Sequence, residues 1–561
     1  MAVDLNYLKE IYKSDLDFNN IALNEYKEAV KYYHGNQLAS NILSTILERG
    51  QSPVVENIYK MIINKILGYK AQSISEIRVS GRQESDAHLA NLLNDLIKVF
   101  SHSDFYNKEI MKRDKELIFG LSVVELWIKE DEEANRYVDF KCLDTTSFLI
   151  DKFSRDFNAA DARRFHKKLN MDYLQAQEIF KDKQVTHLSN PNTSDTRAII
   201  YETWLLENGT WNRYFWQDSQ ILAYEISPLK TKKHPFVISK YQIDDENVWY
   251  GLFRDIRFMQ DYINYAENKM GNMLGSFKAL FESDAVDDTQ EFIDSFGLDN
   301  SITKVKPGAL KEGKLQVIQH HADIQALSQK ANEKRSLAKI LAGLNDEFLG
   351  VGNSRLSAEA IAHRRETGLM GLQDFLNKAD DMDKLIFQKA LDLMQHYFTK
   401  EQIFKIVDED RHIRYFEINT NEKNAIKIGR FDLEYRSQLK MQGSEERFMY
   451  WSEMMKVIGN TQPDLISGLL PLILKDSDSP VALEVKKLLE LKEKQARDLA
   501  QNSSEAQVQE MQIKLALEKE KAQIEETKAK AAKYTAQGLL AHEVSKDDNK
   551  QSMQKGGIDL R

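Results

Sequence analysis

The clearest chemical spacing in the chain lies at residues 308–314, where two glycines and a lysine follow the pattern G-x-x-x-x-G-K. Loops of this kind bind phosphates, but they also need a serine or threonine after the lysine and a helix that follows directly. Here Leu315 follows the lysine, and the residues after it alternate as a strand does. We therefore expect a β-hairpin in which 302–306 pairs with 315–318. An ATP-driven nucleic-acid enzyme remains only an alternative function.

Other groups of carboxylates and histidines lack the separate, converging ligands that a metal site needs. The acidic segment 380–383 lies within a predicted helix and points in several directions, and a second acidic segment is at 408–410. We expect both to be solvated surface. The histidines at 320–321 are adjacent and cannot share a helix face. No metal, cofactor or catalytic residue is predicted, and the one cysteine, Cys142, excludes an intramolecular disulfide.

Basic residues recur along the helix predicted at 324–344. Lys330, Lys334, Arg335 and Lys339 follow one another at intervals of four, one and four residues, which suggests one basic stripe. In a single copy this pattern also fits an ordinary amphipathic surface helix. In a ring of copies it would form belts of positive charge around an axis.

The composition is that of a long, folded and mainly helical chain. Its 561 residues include 77 Lys+Arg and 87 Asp+Glu, for a net charge of −10. Glycine (24) and proline (8) are scarce, which favours helices. An acidic chain is unsuited to coating nucleic acid, although DNA could pass without being gripped. Neither a secretory signal nor the run of about 18 apolar residues that a membrane span needs is visible.

Periodicity divides the chain into an α+β first part and a more helical second part. Alternation predicts strands at 121–129, 136–142, 198–205, 211–216 and within 402–436. Helical spacing predicts long helices at 249–281, 324–344 and 357–398, and further helices beyond residue 443. The last 81 residues are rich in Ala, Glu, Lys, Leu and Gln, and the end of the chain reads as a disordered tail.

Short segments spread over about residues 25–450 together resemble one protein family. They are 32–37 (YYHGNQ), 53–57 (PVVEN) with Gly68, 151–162 with three aspartates before Ala162, 249–254 (WYGLFR) with Gln260 and Asn264, 306–309 (KPGA), 357–365 (SAEAIAHRR), and 431–435 (FDLEY) with Ser444 and Arg447. In this order they resemble the portal proteins of tailed bacteriophages, especially the short-tailed type. Ala358 stands where many relatives carry glycine, and Phe431 stands where tyrosine is usual.

The resemblance implies a mixed α+β, predominantly helical fold with wing, stem, clip and crown parts and long C-terminal helices. The implied parts are an α+β wing at 1–247, a first stem helix at 248–281, a clip at 282–321, a second stem helix at 322–346, a tunnel loop at 347–356, a long wing helix at 357–400, returning wing strands at 401–442, a crown at 443–480, C-terminal crown or barrel helices at 481–545 and a disordered tail at 546–561.

The implied function is a ring-shaped, dodecameric channel at one capsid vertex, through which genomic DNA is packaged, retained and ejected. The chain would be made in the host cytoplasm and reside in the virion. Implied partners are further copies of the chain, double-stranded DNA bound non-specifically, the packaging terminase, tail adaptor and head-completion proteins, and capsid and scaffolding proteins. No membrane partner is implied. Another virion assembly protein remains an alternative.

The same resemblance suggests roles for three groups of residues. Because many phosphate contacts would stop a sliding polymer, such a channel should carry few positive rings. The basic stripe (Lys330, Lys334, Arg335 and Lys339) would line or border the channel. Residues of the tunnel loop would form a constriction: Val351, Gly352, Asn353, Ser354 and Arg355. Lysines of the clip would offer a docking surface to an acidic motor or adaptor: Lys304, Lys306, Lys311 and Lys314.

Overall fold

The computed structural model describes most of the first 440 residues. The described residues are 3–71, 73–81, 86–187, 196–274, 278–296, 303–318, 321–344, 358–407, 413–422, 424–426, 429, 431–439 and Met454. The chain divides into units at Met1–Lys440 and Met441–Arg561. The tunnel loop and, apart from Met454, the crown, the C-terminal helices and the tail lie outside the described residues.

Ten α-helices occur in the described part of the chain. They are α1 (Leu5–Tyr33), α2 (Ser40–Glu48), α3 (Ile58–Ala71), α4 (Ala87–Ser101), α5 (Asp104–Phe119), α6 (Tyr173–Ile179), α7 (Phe253–Leu274), α8 (Thr289–Phe296), α9 (His321–Leu341) and α10 (Ala358–Tyr397). Local chemistry sets several ends. The Ser103 side chain accepts the Tyr106 N–H at the start of α5, and the helix stops at Gly120, whose φ of 133° suits glycine.

The strands, again within the described residues, form antiparallel sheets. They are β1 (Ser73–Gly81), β2 (Leu121–Glu130), β3 (Arg136–Cys142), β4 (Phe148–Ile150), β5 (Arg164–Asp172), β6 (Arg197–Glu207), β7 (Thr210–Trp216), β8 (Ile221–Glu225), β9 (Phe236–Lys240), β10 (Gln242–Ile243), β11 (Trp249–Tyr250), β12 (Lys278–Phe281), β13 (Leu315–Ile318), β14 (Gln402–Val407), β15 (Ile413–Ile418) and β16 (Phe431–Leu439).

Two larger sheets and four strand pairs result. The larger sheets have the orders β4-β5-β6-β7-β8 and β3-β2-β9, and the pairs are β1-β16, β10-β11, β12-β13 and β14-β15. The hairpin between β6 and β7 turns at Asn208 and Gly209, whose φ angles of 50° and 79° match the turn that this dipeptide favours. Helices make up about 47% of the structure. The coarse prediction of a mixed helix-and-sheet fold is therefore confirmed.

Two boundaries differ from the prediction made on sequence. The helix expected at 249–281 is only α7, preceded by β11 and followed by β12. Gly251 lies between β11 and α7. The position requires glycine, because a Cβ there would lie 2.4 Å from the Phe119 carbonyl oxygen. The strand partner of β13 is β12, whereas the described residues 303–306 of the expected partner form no strand and the Lys306 N–H is bound to the Ala285 carbonyl at 2.9 Å. Residue 302 lies outside the described residues. Helical periodicity could not reveal either contact.

Two hydrophobic cores meet at β2. Val123 belongs to a core shared with α1, α3 and α7, whereas its neighbour Val124 belongs to a core shared with α4 and the second half of α10. Alternate residues of a strand point to opposite faces, so β2 is buried on both sides. Each fully buried aliphatic side chain stabilises the fold by roughly 1.5–3 kcal/mol. The first of these cores holds α7 in place.

Candidate functional site

Four amide side chains lie at every fourth position along α7, and we call them the amide ladder. They are Gln260, Asn264, Asn268 and Asn272. Side chains four residues apart lie on the same helix face. The amide ladder therefore presents one polar face of α7 to the rest of the subunit.

The amide ladder binds the backbone of residues 51–57, an extended segment that has no secondary structure of its own. Asn268 donates to the Val54 carbonyl at 2.7 Å and accepts the Val54 N–H at 2.9 Å. Gln260 accepts the Tyr59 N–H at 3.0 Å and donates to the Glu56 carbonyl at 2.7 Å. Residues 51–57 have no strand ladder to satisfy their backbone groups, so the amide ladder replaces a missing strand partner.

Residues from three separate motifs of the sequence meet in this network. Asn264 donates to the Gln37 side-chain oxygen at 2.6 Å, and Gln37 donates to the Tyr32 carbonyl at 2.9 Å. Asn57 donates to the same carbonyl at 3.0 Å. Gln37 and Asn264 are only 6% and 2% exposed. Segments 32–37, 53–57 and the start of α7 thus form one buried joint, which explains why these residue types are needed together.

α7 also packs beside α9. Ala331, Ala338 and Ala342 are buried in or directly after α9, with exposures of 0%, 0% and 4%. We call these three residues the alanine seam. Small side chains let neighbouring backbones approach closely, and α7 and α9 make extensive contact. We refer to this pair of helices as the α7–α9 module.

The four basic residues of α9 do not form a single stripe. A helix turns by about 100° per residue. Lys330 and Lys334 therefore lie on one side of the alanine seam, while Arg335 and Lys339 lie on the other. Lys330 is exposed, and its ammonium nitrogen is 2.8 Å from the carboxylate of Glu333. The expected stripe is thus two pairs of cations separated by the helix face that packs inward.

Arg335 is held within the subunit by two carboxylates. Its Nε lies 2.9 and 3.1 Å from the two carboxylate oxygens of Glu56, and a terminal nitrogen contacts both Glu56 and Glu267. These hydrogen bonds raise the pKa of the guanidinium. The side chain is 20% exposed. We call Arg335, Glu56 and Glu267 the Arg335 clasp, because it joins α9 to α7 and to the extended segment. Sequence reasoning missed both carboxylates, since neither lies near Arg335 in the chain.

The lysines of the predicted clip fall into two classes. Lys314 lies 2.8 Å from Asp284 and 2.9 Å from Glu312, and these carboxylates raise its pKa. Lys306 is 3.8 Å from Asp287. The other two clip lysines have exposed side chains: Lys304 and Lys311. The loop at 308–314 leads into β13, so it lacks the helix N-terminus that a phosphate-binding loop requires.

The acidic segment 380–383 is not the solvated face that was expected. Asp383 accepts from Arg113 at 2.6 Å, and Asp380 is 2.5 Å from the Lys70 ammonium. Arg113 is fully buried, and only Asp381 of the acidic segment is exposed. Residues from α3, α5 and α10 therefore form one buried charge cluster, comprising Lys70, Arg113, Asp114, Asp380 and Asp383.

Among the described residues, no group of three or more His, Cys, Asp or Glu side chains is placed to hold a metal ion. The second acidic segment, 408–410, lies outside them, as do Val351 to Arg355 of the predicted tunnel loop. No helix in the described ranges is both long and apolar enough to cross a membrane.

Comparison with known proteins identifies the class. The phage P22-like portal protein family matches residues 9–208 and 206–534. The chain therefore belongs to this family, and its function is that of a phage portal protein, a structural component of the virion that takes part in head–tail connection and genome packaging.

One relative agrees with this family. The portal protein of Helicobacter pylori bacteriophage KHP30 is 46% identical over 560 residues, covering 97% of this chain and 92% of the relative. Among solved structures, the neck of a native GTA particle, computed with C12 symmetry, matches with a TM-score of 0.31 and 9% identity, covering 71% of this chain and 84% of that chain. The family and function expected from the sequence resemblance are confirmed.

Proposed function

We propose that the chain assembles into a closed dodecameric ring in which the α7–α9 module of each copy walls a channel for double-stranded DNA. The observation that carries this proposal is the apolar surface that one copy leaves bare on the two helices. Phe258 and Tyr265 on α7 are 74% and 58% exposed, and Ile340 on α9 is 68% exposed. Exposed apolar side chains of this size are typical of surfaces that a neighbouring protein covers.

The parts of the ring follow from this assignment. In the proposal, α7 and α9 are the first and second stem helices, and the β12–β13 pair with α8 and the loop at 303–314 is the clip. α10 is the long wing helix. Residues before α7 and strands β14 to β16 make up the wing. In the proposal, residues 443–480 are the crown, residues 481–545 are the C-terminal crown or barrel helices, and residues 546–561 are the tail.

The cations of α9 take two roles in the proposal. Lys330, Lys334 and Lys339 border the channel, while Arg335 acts as the brace of the Arg335 clasp. Pairing of Lys330 with Glu333 reduces the positive charge that DNA would meet. Few strong phosphate contacts remain, which suits a duplex that must slide during packaging and ejection.

The remaining sites concern constriction and docking. We place Val351, Gly352, Asn353, Ser354 and Arg355 in a loop that narrows the channel and resists backward movement of DNA. In the clip, Lys304 and Lys311 are the proposed contacts for an acidic face of the packaging terminase or a tail adaptor. Lys306 and Lys314 would instead fasten the clip to its own carboxylates. Head-completion, capsid and scaffolding proteins are the other proposed partners in the virion.

Electron microscopy of the purified full-length chain tests the ring. We expect closed rings with a central hole in negative stain. Replacement of Phe258 and Tyr265 by glutamate should shift the protein toward smaller species in sedimentation velocity. Leu174→Glu, at a residue 69% exposed on α6, is the matched control and should leave rings intact. A wild-type chain that stays monomeric at high concentration would refute the proposal.

A packaging assay tests the channel residues. The double variant Lys330→Glu/Lys334→Glu should form rings but package or retain less DNA. Lys181→Glu/Lys183→Glu makes the same charge change at exposed residues of the loop after α6 and should behave as wild type. Equal DNA content in particles carrying either variant would remove Lys330 and Lys334 from the channel.

A further inference from the structure

Two lysines share one tyrosine ring on the surface formed by α1, α3 and α5. The ammonium nitrogens of Lys60 and Lys115 lie 5.5 and 5.7 Å from the centroid of the Tyr33 ring. The ring is held in place, since its hydroxyl donates to Asn64 at 2.8 Å and its edge meets Phe119 at 5.6 Å. Cation–π attraction thus holds two positive charges beside one ring whose position is fixed.

The two ammonium groups have no carboxylate within ion-pair distance among the described residues. Lys108, Lys112 and Lys115 are spaced by four and three residues on α5, which places them on one helix face. Lys112 donates to the Cys142 carbonyl at 2.9 Å and is otherwise exposed. We call this surface the lysine face. Its members are Lys60, Lys108, Lys112 and Lys115.

The nearby carboxylates are engaged elsewhere. Glu109 accepts the Cys142 N–H at 2.7 Å, and Glu116 accepts from the Tyr26 hydroxyl at 2.5 Å. Glu28 pairs with Arg257 of α7 at 2.6 Å. Among the described residues, none of these carboxylates forms an ion pair with Lys60 or Lys115, and the two ammonium groups keep their positive charge in a chain whose net charge is −10. An anion placed between the two ammonium groups would relieve their mutual repulsion.

The chemistry of the lysine face suits an extended polyanion. Its lysines on α5 span about 10 Å, and a DNA strand carries one phosphate per about 3.4 Å of helix axis. Every cation is a lysine, a point charge on a flexible stem that can meet successive phosphate oxygens without the fixed geometry of a guanidinium fork. The Tyr33 ring contacts the ammonium groups of Lys60 and Lys115, so it positions these cations and is not free to stack on bases.

We propose that the lysine face binds the phosphate backbone of duplex DNA, at a surface separate from the channel. The neighbouring Tyr32 hydroxyl donates to Asp261 of α7 at 2.6 Å, whereas Tyr33 contacts α3 and α5. Adjacent tyrosines of α1 therefore face the α7–α9 module and the lysine face, respectively. This inference uses the proposed function only in placing duplex DNA beside the protein, and it does not depend on which residues line the channel.

Covalently closed circular duplex DNA separates this site from the channel, because a closed circle cannot thread a preformed ring. We expect assembled wild-type protein to bind it in a fluorescence-anisotropy or filter-binding assay. Lys60→Glu/Lys115→Glu should weaken binding about tenfold or more and reduce the slope of log affinity against log salt by about two. The matched control is Lys181→Glu/Lys183→Glu, which should keep both the affinity and the slope.

Tyr33→Leu supplies a second variant that keeps every charge. Without the ring to gather the cations, we expect a severalfold loss of affinity with little change in the salt slope. Circular dichroism and negative-stain rings show whether each variant is folded and assembled. If wild-type protein forms rings but does not bind closed circular DNA, the proposed DNA-binding role of the lysine face is wrong and the proposed channel is unaffected. If wild-type protein forms no rings, the result counts against the proposed function instead.

Two further outcomes would also overturn the proposal. One is equal affinity of the Lys60→Glu/Lys115→Glu variant and its control for the closed circle. The other is tight binding of poly-glutamate by the wild type without binding of duplex DNA, which would assign the lysine face to an acidic protein partner.

Discussion

The buried charge cluster and the amide ladder both join distant parts of the chain, but they do so with different chemistry. The buried charge cluster ties α3 and α5 to α10 through ions, and the Tyr435 hydroxyl of β16 donates to Asp383 at 2.8 Å. The amide ladder ties α7 to an extended segment through neutral side chains. Removing one ion from the buried charge cluster leaves another charge buried without a partner, which costs much folding free energy. Removing one neutral amide leaves only a polar group without a partner, which costs less and affects only the contacts beside it.

The difference also explains which region was visible in the sequence. Amides repeated at every fourth residue mark one face of a helix, and Gln260 and Asn264 stand out within a recognisable motif. Apart from Arg113 and Asp114, the paired ions of the buried charge cluster are separated by hundreds of residues, as Lys70 and Asp380 are. The family resemblance therefore included two amides of the neutral joint, Gln260 and Asn264, whereas spacing misidentified the acidic segment 380–383 as a solvated face.

Removal of Arg113 should have the largest effect. Arg113→Met leaves Asp383 and Asp114 without their shared cation, and we expect a loss of about 3–5 kcal/mol in the free energy of unfolding. Urea denaturation measures it. Arg155→Met, at an exposed residue of the loop after β4, is the control and should change stability by less than about 0.5 kcal/mol. A similar small loss in both variants would remove the distinction between the two regions.

The amide ladder should respond less strongly and by degrees. Asn264→Ala leaves the buried side-chain oxygen of Gln37 without its hydrogen-bond donor, and we expect a loss of about 1–3 kcal/mol. Asn272→Ala, near the other end of the amide ladder where the side chain is partly exposed, should cost less than Asn264→Ala. The same urea transitions compare them. If the order were reversed, burial along α7 would not control the contribution of each amide.

A pH dependence sharpens the comparison, because only the charged region should show it. Burial raises the pKa of Asp114 from 3.8 to about 6, against the opposing effect of Arg113. Between these values the folded carboxyl keeps a proton that the unfolded chain has lost, so stability falls as pH rises and the penalty is complete above about pH 6.

Asp114→Asn removes this titration. As the pH rises from 4 to 7, the stability of the variant relative to wild type should increase by about 1–3 kcal/mol. This spread of energies allows for the effect of the neighbouring charges. Unfolding free energies across that range give the answer, with Asn264→Ala as the control that should run parallel to wild type. Parallel curves for Asp114→Asn as well would contradict the raised pKa.

The smallest effects on stability should occur in the partly exposed Arg335 clasp. Arg335→Lys keeps the charge but loses the fork that reaches both Glu56 and Glu267, and we expect a loss of about 1 kcal/mol. Lys330→Ala removes only an exposed pair within one helix and should cost less than about 0.5 kcal/mol. Thermal unfolding of the two variants side by side tests the order. A larger loss for Lys330→Ala would mean that the clasp does not brace α9.

Much of the secondary structure followed from the sequence because it depends on neighbours in the chain. Alternation identified β2, β3, β6 and β7, and the Asn208-Gly209 turn followed from its dipeptide. The strand that follows the phosphate-loop spacing at 308–314 was correctly predicted from the alternation of residues 315–318, and the ordered motifs correctly identified the portal family.

Pairing, burial and charge partners were decided by the tertiary structure. β13 pairs with β12 while the Lys306 N–H is bound by the Ala285 carbonyl, and residue 251 must be glycine because it lies against Phe119. Asp383 is an internal ion only because α10 meets Arg113. Local spacing records which side chains share a helix or strand face, and it determined the elements of this protein. Which faces meet depends on contacts between residues far apart in the chain, and desolvation then sets the charge and strength of each contact.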